Sequence, residues 1–303
     1  MTRHIVAPDW ITADFQFPPD VKLTRGDDLA EVDPAVLATA DFVVLPYMGS
    51  SISDEEAFSR MDNVQVIHTL TAGFDSVAPL VPPHVTLCNL SGVHDAGTAE
   101  MAVLLMLTSL RRLPEVQRAQ ERQEWIHLWG KSPAEKTVLL IGYGGVGKAV
   151  ERRLQGFECT VIPVATHARD HVHAITDLDA LIPQADIVIL TVPLNDSTRG
   201  LVDARFINQL KPGSLIVNVA RGPVIDTDAL LQALHAGHIH AALDVTDPEP
   251  LPADHPLWKA PNTVIAPHIG ADNDVLEPRA RKRIHSQLEL WLAGKPLESV
   301  VVR

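Results

Sequence analysis

Cysteine is nearly absent. The 303-residue chain has two, Cys88 and Cys159, and neither lies in a CxxC or zinc-ligand spacing. A disulfide scaffold is therefore excluded, and two thiols in apolar, strand-like runs are expected to be buried and free, as suits a reducing compartment. Excess positive charge is lacking too. With 38 acidic against 25 basic residues the formal charge is −13, which repels phosphate backbones and anionic membranes and argues against nucleic acid as a partner. A small anion stays admissible, because one well-placed arginine reverses the local field. Long hydrophobic runs are also missing: the most apolar stretch, 101–110, is shorter than the roughly 20 residues that span a bilayer. The opening MTRHIVAPDW lacks the apolar stretch of a signal peptide, so a cytoplasmic protein with no membrane partner is expected. No internal repeat or low-complexity tract occurs.

What the chain does have is a series of short Val/Ile/Leu-rich runs, at 42–45, 64–70, 85–90, 138–141, 160–164, 187–192, 215–219 and 263–266. They are continuous rather than alternating, as parallel strands covered on both faces are. Segments of helical spacing lie between many of them, such as 226–236 with Ala229, Leu230, Ala233 and Leu234. Strands alternating with helices predict an α/β fold with open parallel sheets. Two sets are visible, one over roughly 1–99 and a second from near Thr137. Between them 98–113 reads as a long helix, capped by Thr98, stopped by Pro114 and serving as a hinge. A polar arm at 115–133 follows, carrying Trp125 and Trp129.

The run TVLLI is followed at once by GYGGVG (142–147) and then by a helical segment from Lys148. A GxGxxG motif is informative only between a strand and a helix, which is its place here. Gly142 permits the tight turn, Gly144 lets backbone approach a pyrophosphate, and Gly147 lets helix and strand pack. Gly145 and Val146 complete the helix N-terminus, whose unpaired N–H groups and positive dipole end suit phosphate. NAD-specific sites place an acid at the end of the second strand, to bind the ribose 2′-hydroxyl. Here that strand ends Val164-Ala165-Thr166-His167-Ala168-Arg169, with no acid until Asp170. Thr166, His167 and Arg169 are suited to a 2′-phosphate, so NADP(H) is favoured over NAD(H).

Three later runs each lead into a reactive side chain: LIVNV into Ala220-Arg221, AALDV into Asp247-Pro248-Glu249, and TVIA into Pro267-His268. In open α/β sheets the ligand crevice lies outside the carboxyl ends of the strands, so Arg221, Glu249 and His268 are expected to converge beside a cofactor. Reduction of a keto acid needs these types. A guanidinium grips a carboxylate and polarises a carbonyl, and an imidazolium next to a carboxylate delivers a proton as hydride arrives. Tyr47 and Met48, just past 42–45, are candidates for selecting the substrate side chain.

The stretches GYGGVG, NVARGPVIDTDAL, AALDVTDPEPLPADHPLW and APHIG, with TAGFDSV (71–77) and CNLSGVHDAGTAE (88–100), resemble the signature segments of the D-isomer-specific 2-hydroxyacid dehydrogenases. The likeness runs over nearly the whole chain. It implies a Rossmann-type dinucleotide-binding domain at 100–271, inserted in a flavodoxin-like substrate domain made of 1–99 and completed by 272–303. It also implies a homodimer formed through the cofactor domains, NAD(P)H as cofactor, and a small 2-keto or 2-hydroxy acid as substrate. By matching position Arg221, Glu249 and His268 are catalytic, and Arg221 also binds substrate. Asp244 would hold the nicotinamide carboxamide, Thr98, Ala220 and Gly270 would lie by the cofactor, and Pro193 would line its adenosine side. The N–H groups of Ala72, Gly73 and Phe74 would receive the substrate carboxylate. Two departures from the common pattern are the missing second-strand acid and Gly270-Ala271-Asp272-Asn273 where a Gly/Ala/Thr run is usual.

Two histidine groups, His167/His171/His173 and His235/His238/His240, lack acidic or cysteine partners in sequence and do not predict a metal site. Trp129 packs locally or reaches a neighbouring subunit. Two other functions stay open. One is a formate- or phosphite-type dehydrogenase; formate enzymes carry Gln at the Glu249 position, which disfavours them. The other is a non-catalytic NAD(H)-sensing protein.

Overall fold

In the computed structural model, which describes residues 2–48 and 55–302, the chain divides into two compact units, Met1–His94 with Asn273–Arg303, and Asp95–Asp272. In chain order the strands are β1 (Arg3–Ala7), β2 (Val21–Arg25), β3 (Phe42–Val44), β4 (Val66–His68), β5 (Thr86–Cys88), β6 (Thr137–Ile141), β7 (Thr160–Ala165), β8 (His173–Ala174), β9 (Ile187–Leu190), β10 (Ser214–Asn218), β11 (Ile239–Leu243), β12 (Thr263–Ile265) and β13 (Val300–Val302).

The first unit holds a sheet in the order β13-β5-β4-β3-β1-β2, parallel except for the antiparallel β13–β5 pair. Its core order is flavodoxin-like. Successive residues of a strand point to opposite faces, and here both faces are buried. Val6, Val43, Ile67 and Leu87 pack on Leu37, Phe58 and Val77 on one side. Ile5, Phe42, Val44 and Val66 pack on Ala280, Ile284 and Leu288 of the helix Leu276–Leu292 on the other. That double coverage is why the strands read as continuous apolar runs.

One polar residue interrupts this core. His68, at the end of β4, is fully buried; its Nδ1 lies 2.8 Å from the Thr69 carbonyl, and Nε2 has no partner among the described residues. Burial, helped by the charge of Arg283 and opposed by the Thr69 hydrogen bond, lowers its pKa to about 4. The unfolded chain therefore takes up a proton near pH 6.5 that the folded chain refuses until about pH 4. Stability is full above pH 6.5 and falls as the solution is acidified through that window, by about 3 kcal/mol in all. His68→Gln should flatten the dependence of Tm on pH between these values; an unchanged slope would remove His68 as its source.

The second unit carries a fully parallel sheet, β12-β11-β10-β9-β6-β7-β8, which is the Rossmann order with one strand added. The helix Asp95–Leu110 lays Ala99, Ala102, Leu105 and Met106 against Val138, Leu140, Ile189 and Val217. This helix corrects three expectations. It begins three residues before Thr98, so that Thr98 is not its cap, and it ends at Leu110. Arg112 then takes a left-handed conformation (φ +56°) and starts a separate helix, Leu113–Glu121, with Pro114 in its first turn. Proline is tolerated there because that N–H has no helical partner in any case. Since the helix belongs to the second unit's core, the division falls at 94/95 and 272/273 rather than at 99/100 and 271/272.

Cys88 is buried as expected, but Cys159 is only half-buried, at the entry to β7 beside exposed Thr160, with Sγ 3.8 Å from the Leu154 carbonyl. Both are free. Among the described residues no helix is long and apolar enough to cross a membrane.

Candidate active site

β6 delivers the chain to Gly142, which has φ +102° and donates to the Val164 carbonyl at 2.9 Å. A side chain there would be strained by the backbone and would meet the Thr191 carbonyl at 2.6 Å. Thr191 Oγ1 in turn donates to the Gly142 carbonyl at 2.7 Å, locking the turn against β9. The helix Gly145–Leu154 starts with Gly144 as its N-cap and no capping side chain. Its first N–H groups are thus uncapped, and a Cβ placed on Gly144 would meet nothing within 4 Å. An uncapped helix N-terminus before open space fits a pyrophosphate. Gly145 serves packing instead: a Cβ on it would overlap the carboxylate of Asp95, the first residue of the helix 95–110. Burial raises the Asp95 carboxyl above its ordinary range, against the opposing charge of Arg152. Val146 packs its side chain into the core beneath.

At the end of β7, Thr166, His167 and Arg169 are exposed. The guanidinium of Arg169 lies over the Tyr143 ring, 5.9 Å from its centroid, and donates to the Tyr143 carbonyl at 3.1 Å. Among the described residues no carboxylate pairs with it, whereas Arg3, Arg25, Arg60, Arg112, Arg153 and Arg205 each pair with an Asp or Glu. Pro193 is exposed past β9, its carbonyl accepting from Thr198 Oγ1 at 2.6 Å.

Three adjacent strands place the remaining polar set. At the end of β10, buried Asn218 donates from Nδ2 to the Arg221 carbonyl (2.9 Å) and accepts from Ala220 N (3.0 Å), fixing the backbone from which Arg221 projects. After β11, Thr246 N donates to Glu249 Oε2 at 3.4 Å and Thr246 Oγ1 to the Pro248 carbonyl at 2.9 Å. After β12, His268 takes φ +54° while its N–H donates to the Asp244 carbonyl at 2.7 Å. Its Nδ1 hydrogen-bonds Glu249 Oε1, and Nε2 has no protein partner among the described residues. Burial alone would raise the Glu249 carboxyl; the hydrogen bond and charge of His268, with the charge of Arg221 nearby, hold it below its ordinary range. Glu249 is therefore an ionised acceptor that fixes the imidazole by one nitrogen and leaves the other outward.

Asp244 sits behind this pair. Its two oxygens accept from Ile269 N and Gly270 N, both at 2.9 Å, and burial raises its carboxyl despite those bonds. The carboxylate expected to hold a carboxamide thus anchors the His268 loop. Gly270 lies against it beside Thr98 and Met101, so the helix 95–110 backs the loop. No group of three or more His, Cys, Asp or Glu among the described residues is placed to hold a metal ion.

In the first unit, the loop after β4 has an uneven hydrogen-bond pattern. The Leu70 carbonyl lies 3.1 Å from His94 Nε2, Thr71 accepts from Thr69 Oγ1 and Leu90 N, Ala72 from Asn89 Nδ2, and Gly73 from Thr71 Oγ1. The N–H groups of Ala72, Gly73 and Phe74 have no partner among the described residues. Carbonyls engaged on one side and amides free on the other make a loop suited to an anion. Tyr47 stacks on His94 with ring centroids 6.3 Å apart, and Met48 is exposed. Thr191, Asn89, His94 and Asp95 were not singled out from sequence, because each acts on a loop distant along the chain.

The model of the D-isomer specific 2-hydroxyacid dehydrogenase NAD binding domain matches residues 103–270. A glyoxylate reductase of Thermofilum pendens is 35% identical over 72% of this chain and 69% of its own length. The human glyoxylate reductase/hydroxypyruvate reductase is 34% identical over 78% and 76%. Among solved structures, an NADPH-dependent glyoxylate/hydroxypyruvate reductase from Sinorhizobium meliloti, in complex with NADP and sulfate, superposes with a TM-score of 0.84 over 99% of this chain and 98% of that one, at 25% identity. A Rossmann sheet with its glycine turn, three strand-end residues in order and these relatives together show that the chain belongs to the D-isomer-specific 2-hydroxyacid dehydrogenase family.

Proposed function

We propose that the protein reduces a small 2-keto acid to the D-2-hydroxy acid, and catalyses the reverse, using NADPH in preference to NADH. The observation that carries this reading is the His268–Glu249 pair beside Arg221, at the carboxyl ends of adjacent strands in the sheet that also bears the glycine turn. The bound nicotinamide supplies or accepts the hydride. The chain's residues do the rest. The N–H groups of Ala72, Gly73 and Phe74 hold the substrate carboxylate, and Tyr47 contacts the substrate side chain. Arg221 grips the carboxylate and draws electron density from the carbonyl. His268 Nε2 gives its proton to the carbonyl oxygen as charge develops there, while Glu249 stabilises the imidazolium before transfer. In oxidation the neutral ring takes the proton back. An ionised carboxylate bonded to the imidazole supports keto-acid chemistry over the formate-type alternative.

NADPH preference is supported by the missing second-strand acid and by Arg169, which pairs with no carboxylate among the described residues. The adenine end would rest between Thr166, His167 and Pro193, and the pyrophosphate on Gly144, Gly145 and Val146, with Ala220, Asp244, Gly270 and Thr98 around the nicotinamide end. A homodimer through the cofactor unit is supported by the exposed apolar side chains that cluster at 104–129: Leu104, Leu113, Val116, Ile126, and Trp125 and Trp129 at 93% and 94% exposure. Soluble monomers rarely leave so much apolar surface in one segment. Two cysteines outside any disulfide support a reducing, cytoplasmic location, and the charge of −13 supports the absence of nucleic acid partners.

Purified protein should oxidise NADPH with at least one of glyoxylate, hydroxypyruvate and phenylpyruvate, and more slowly with NADH. Cofactor binding without turnover of any keto acid would favour the sensing alternative, and reduction of NAD(P)+ by formate or phosphite would replace the proposed substrate class.

A further inference from the structure

Tyr143 is the side chain carried between the first two glycines of the 142–147 turn, and it joins two loops that the sequence keeps 26 residues apart. Its ring and its carbonyl both engage Arg169. Its hydroxyl donates to the Glu151 carboxylate on the helix Gly145–Leu154 and lies 3.1 Å from His171 Nε2. The His171 ring meets the Tyr143 ring edge-on at 5.5 Å, and its Nε2 is 3.3 Å from Glu151 Oε1. The turn that carries Arg169 is itself closed by reciprocal backbone bonds between Arg169 and Val172.

The consequence is electrostatic. Glu151 is the acid in this cluster, and a carboxylate free to reach Arg169 would neutralise it. Tyr143 and His171 occupy that carboxylate, while the tyrosine ring and carbonyl hold the guanidinium elsewhere. The phenol is a dependable donor: burial, with the Glu151 hydrogen bond and charge adding to it, pushes its pKa up to about 12. We propose that Tyr143 is a positioning residue for cofactor choice, which seats Arg169 and sequesters Glu151 so that an unneutralised guanidinium faces the ribose 2′-phosphate. This rests on the NADPH reading above and adds to it a residue outside the phosphate contacts themselves.

The test uses the full-length protein and measures Kd for NADPH, NADH, 2′,5′-ADP and 5′-AMP by titration calorimetry. Arg169→Ala should abolish the preference for 2′-phosphorylated ligands. Tyr143→Phe keeps the ring and carbonyl but frees Glu151, and should lower the NADPH/NADH affinity ratio by about fivefold to tenfold, the net worth of one ordinary hydrogen bond. Adding Glu151→Gln to Tyr143→Phe should restore the ratio, a rescue that a merely structural tyrosine would not show. If Arg169→Ala loses the preference while Tyr143→Phe keeps it, the NADPH reading stands and the role given to Tyr143 is overturned. Equal weakening of all four ligands in Tyr143→Phe likewise overturns it. No wild-type preference for 2′,5′-ADP over 5′-AMP removes the NADPH reading and this inference together.

Discussion

His268→Asn is expected to lower kcat for keto-acid reduction by about 10³-fold, roughly 4 kcal/mol of barrier, with little change in cofactor Kd. Asparagine suits the test for two reasons. It tolerates the left-handed backbone that His268 adopts at φ +54° better than most residues. Its amide nitrogen also falls near the position of the imidazole Nδ1, so the hydrogen bond to Glu249 and the loop tie to Asp244 can persist. What is lost is Nε2, the outward nitrogen, and with it the group that delivers a proton. Cofactor affinity should hold because β12 lies four strand positions from β6 in the sheet, about 19 Å at the usual strand spacing. Steady-state rates from pH 6 to 9, beside fluorescence titration of NADPH, check both halves. A variant with wild-type kcat across that range would remove His268 as the proton donor.

Gly222→Ala should damage fold and activity together. Gly222 is buried directly after Arg221, and a methyl group there would overlap the carbonyl of Thr246, with Asp247 N at 2.7 Å. The obstructing atoms are backbone, which cannot swing aside as a side chain would. They also begin the segment that carries Glu249, whose carboxylate accepts from Thr246 N and whose approach is pinned by Thr227 Oγ1 on the Asp247 carbonyl at 3.0 Å. Making room therefore moves Arg221 away from Glu249 and His268. Overpacking of this kind costs about 3 kcal/mol, or roughly 6–12 °C in Tm for a unit of this size, and a shift of about 1 Å between reacting groups costs about 10²-fold in rate. Differential scanning calorimetry and kcat/KM should fall together. A variant that melts like wild type with undiminished kcat/KM would show that the two loops separate without penalty.

Much of this arrangement was legible because both sheets are buried on two faces. The runs that became β4, β6, β9 and β10 are continuous in Val, Ile and Leu for that reason, and Arg221, Glu249 and His268 stood out as reactive side chains a few residues past such runs. Edge strands were harder to see. β2 reads VKLTR and is wholly exposed or half-buried along its length, so it lacks the apolar signature, and β8 is two residues long. The helix 95–110 departs from its sequence expectation at both ends because Thr98 and Pro114 are cap and stop signals only in isolation. Packing of Ala99 and Ala102 on the sheet and the left-handed Arg112 decided otherwise. The supports of the site were illegible for another reason. Asn89 on the Ala72 carbonyl, Thr191 on the Gly142 carbonyl and Tyr143 on Glu151 are pairings made by topology. No spacing in the sequence announces them.

The first unit is built from both ends of the chain, and this bears on how the protein is made. Residues 95–272 are continuous and hold two hydrophobic clusters of their own, so they can collapse as soon as they leave the ribosome. The first 94 residues emerge earlier but lack one wall: Ala280, Ile284 and Leu288, all fully buried against β1, β3 and β4, arrive only after residues 95–272 have been translated. Until then Ile5, Phe42, Val44 and Val66 line an open apolar face. At about 5–20 residues per second, the nascent chain carries that face for roughly ten seconds or more. The interval between translation of β5 and of the last helix is thus the window in which chaperone protection matters most.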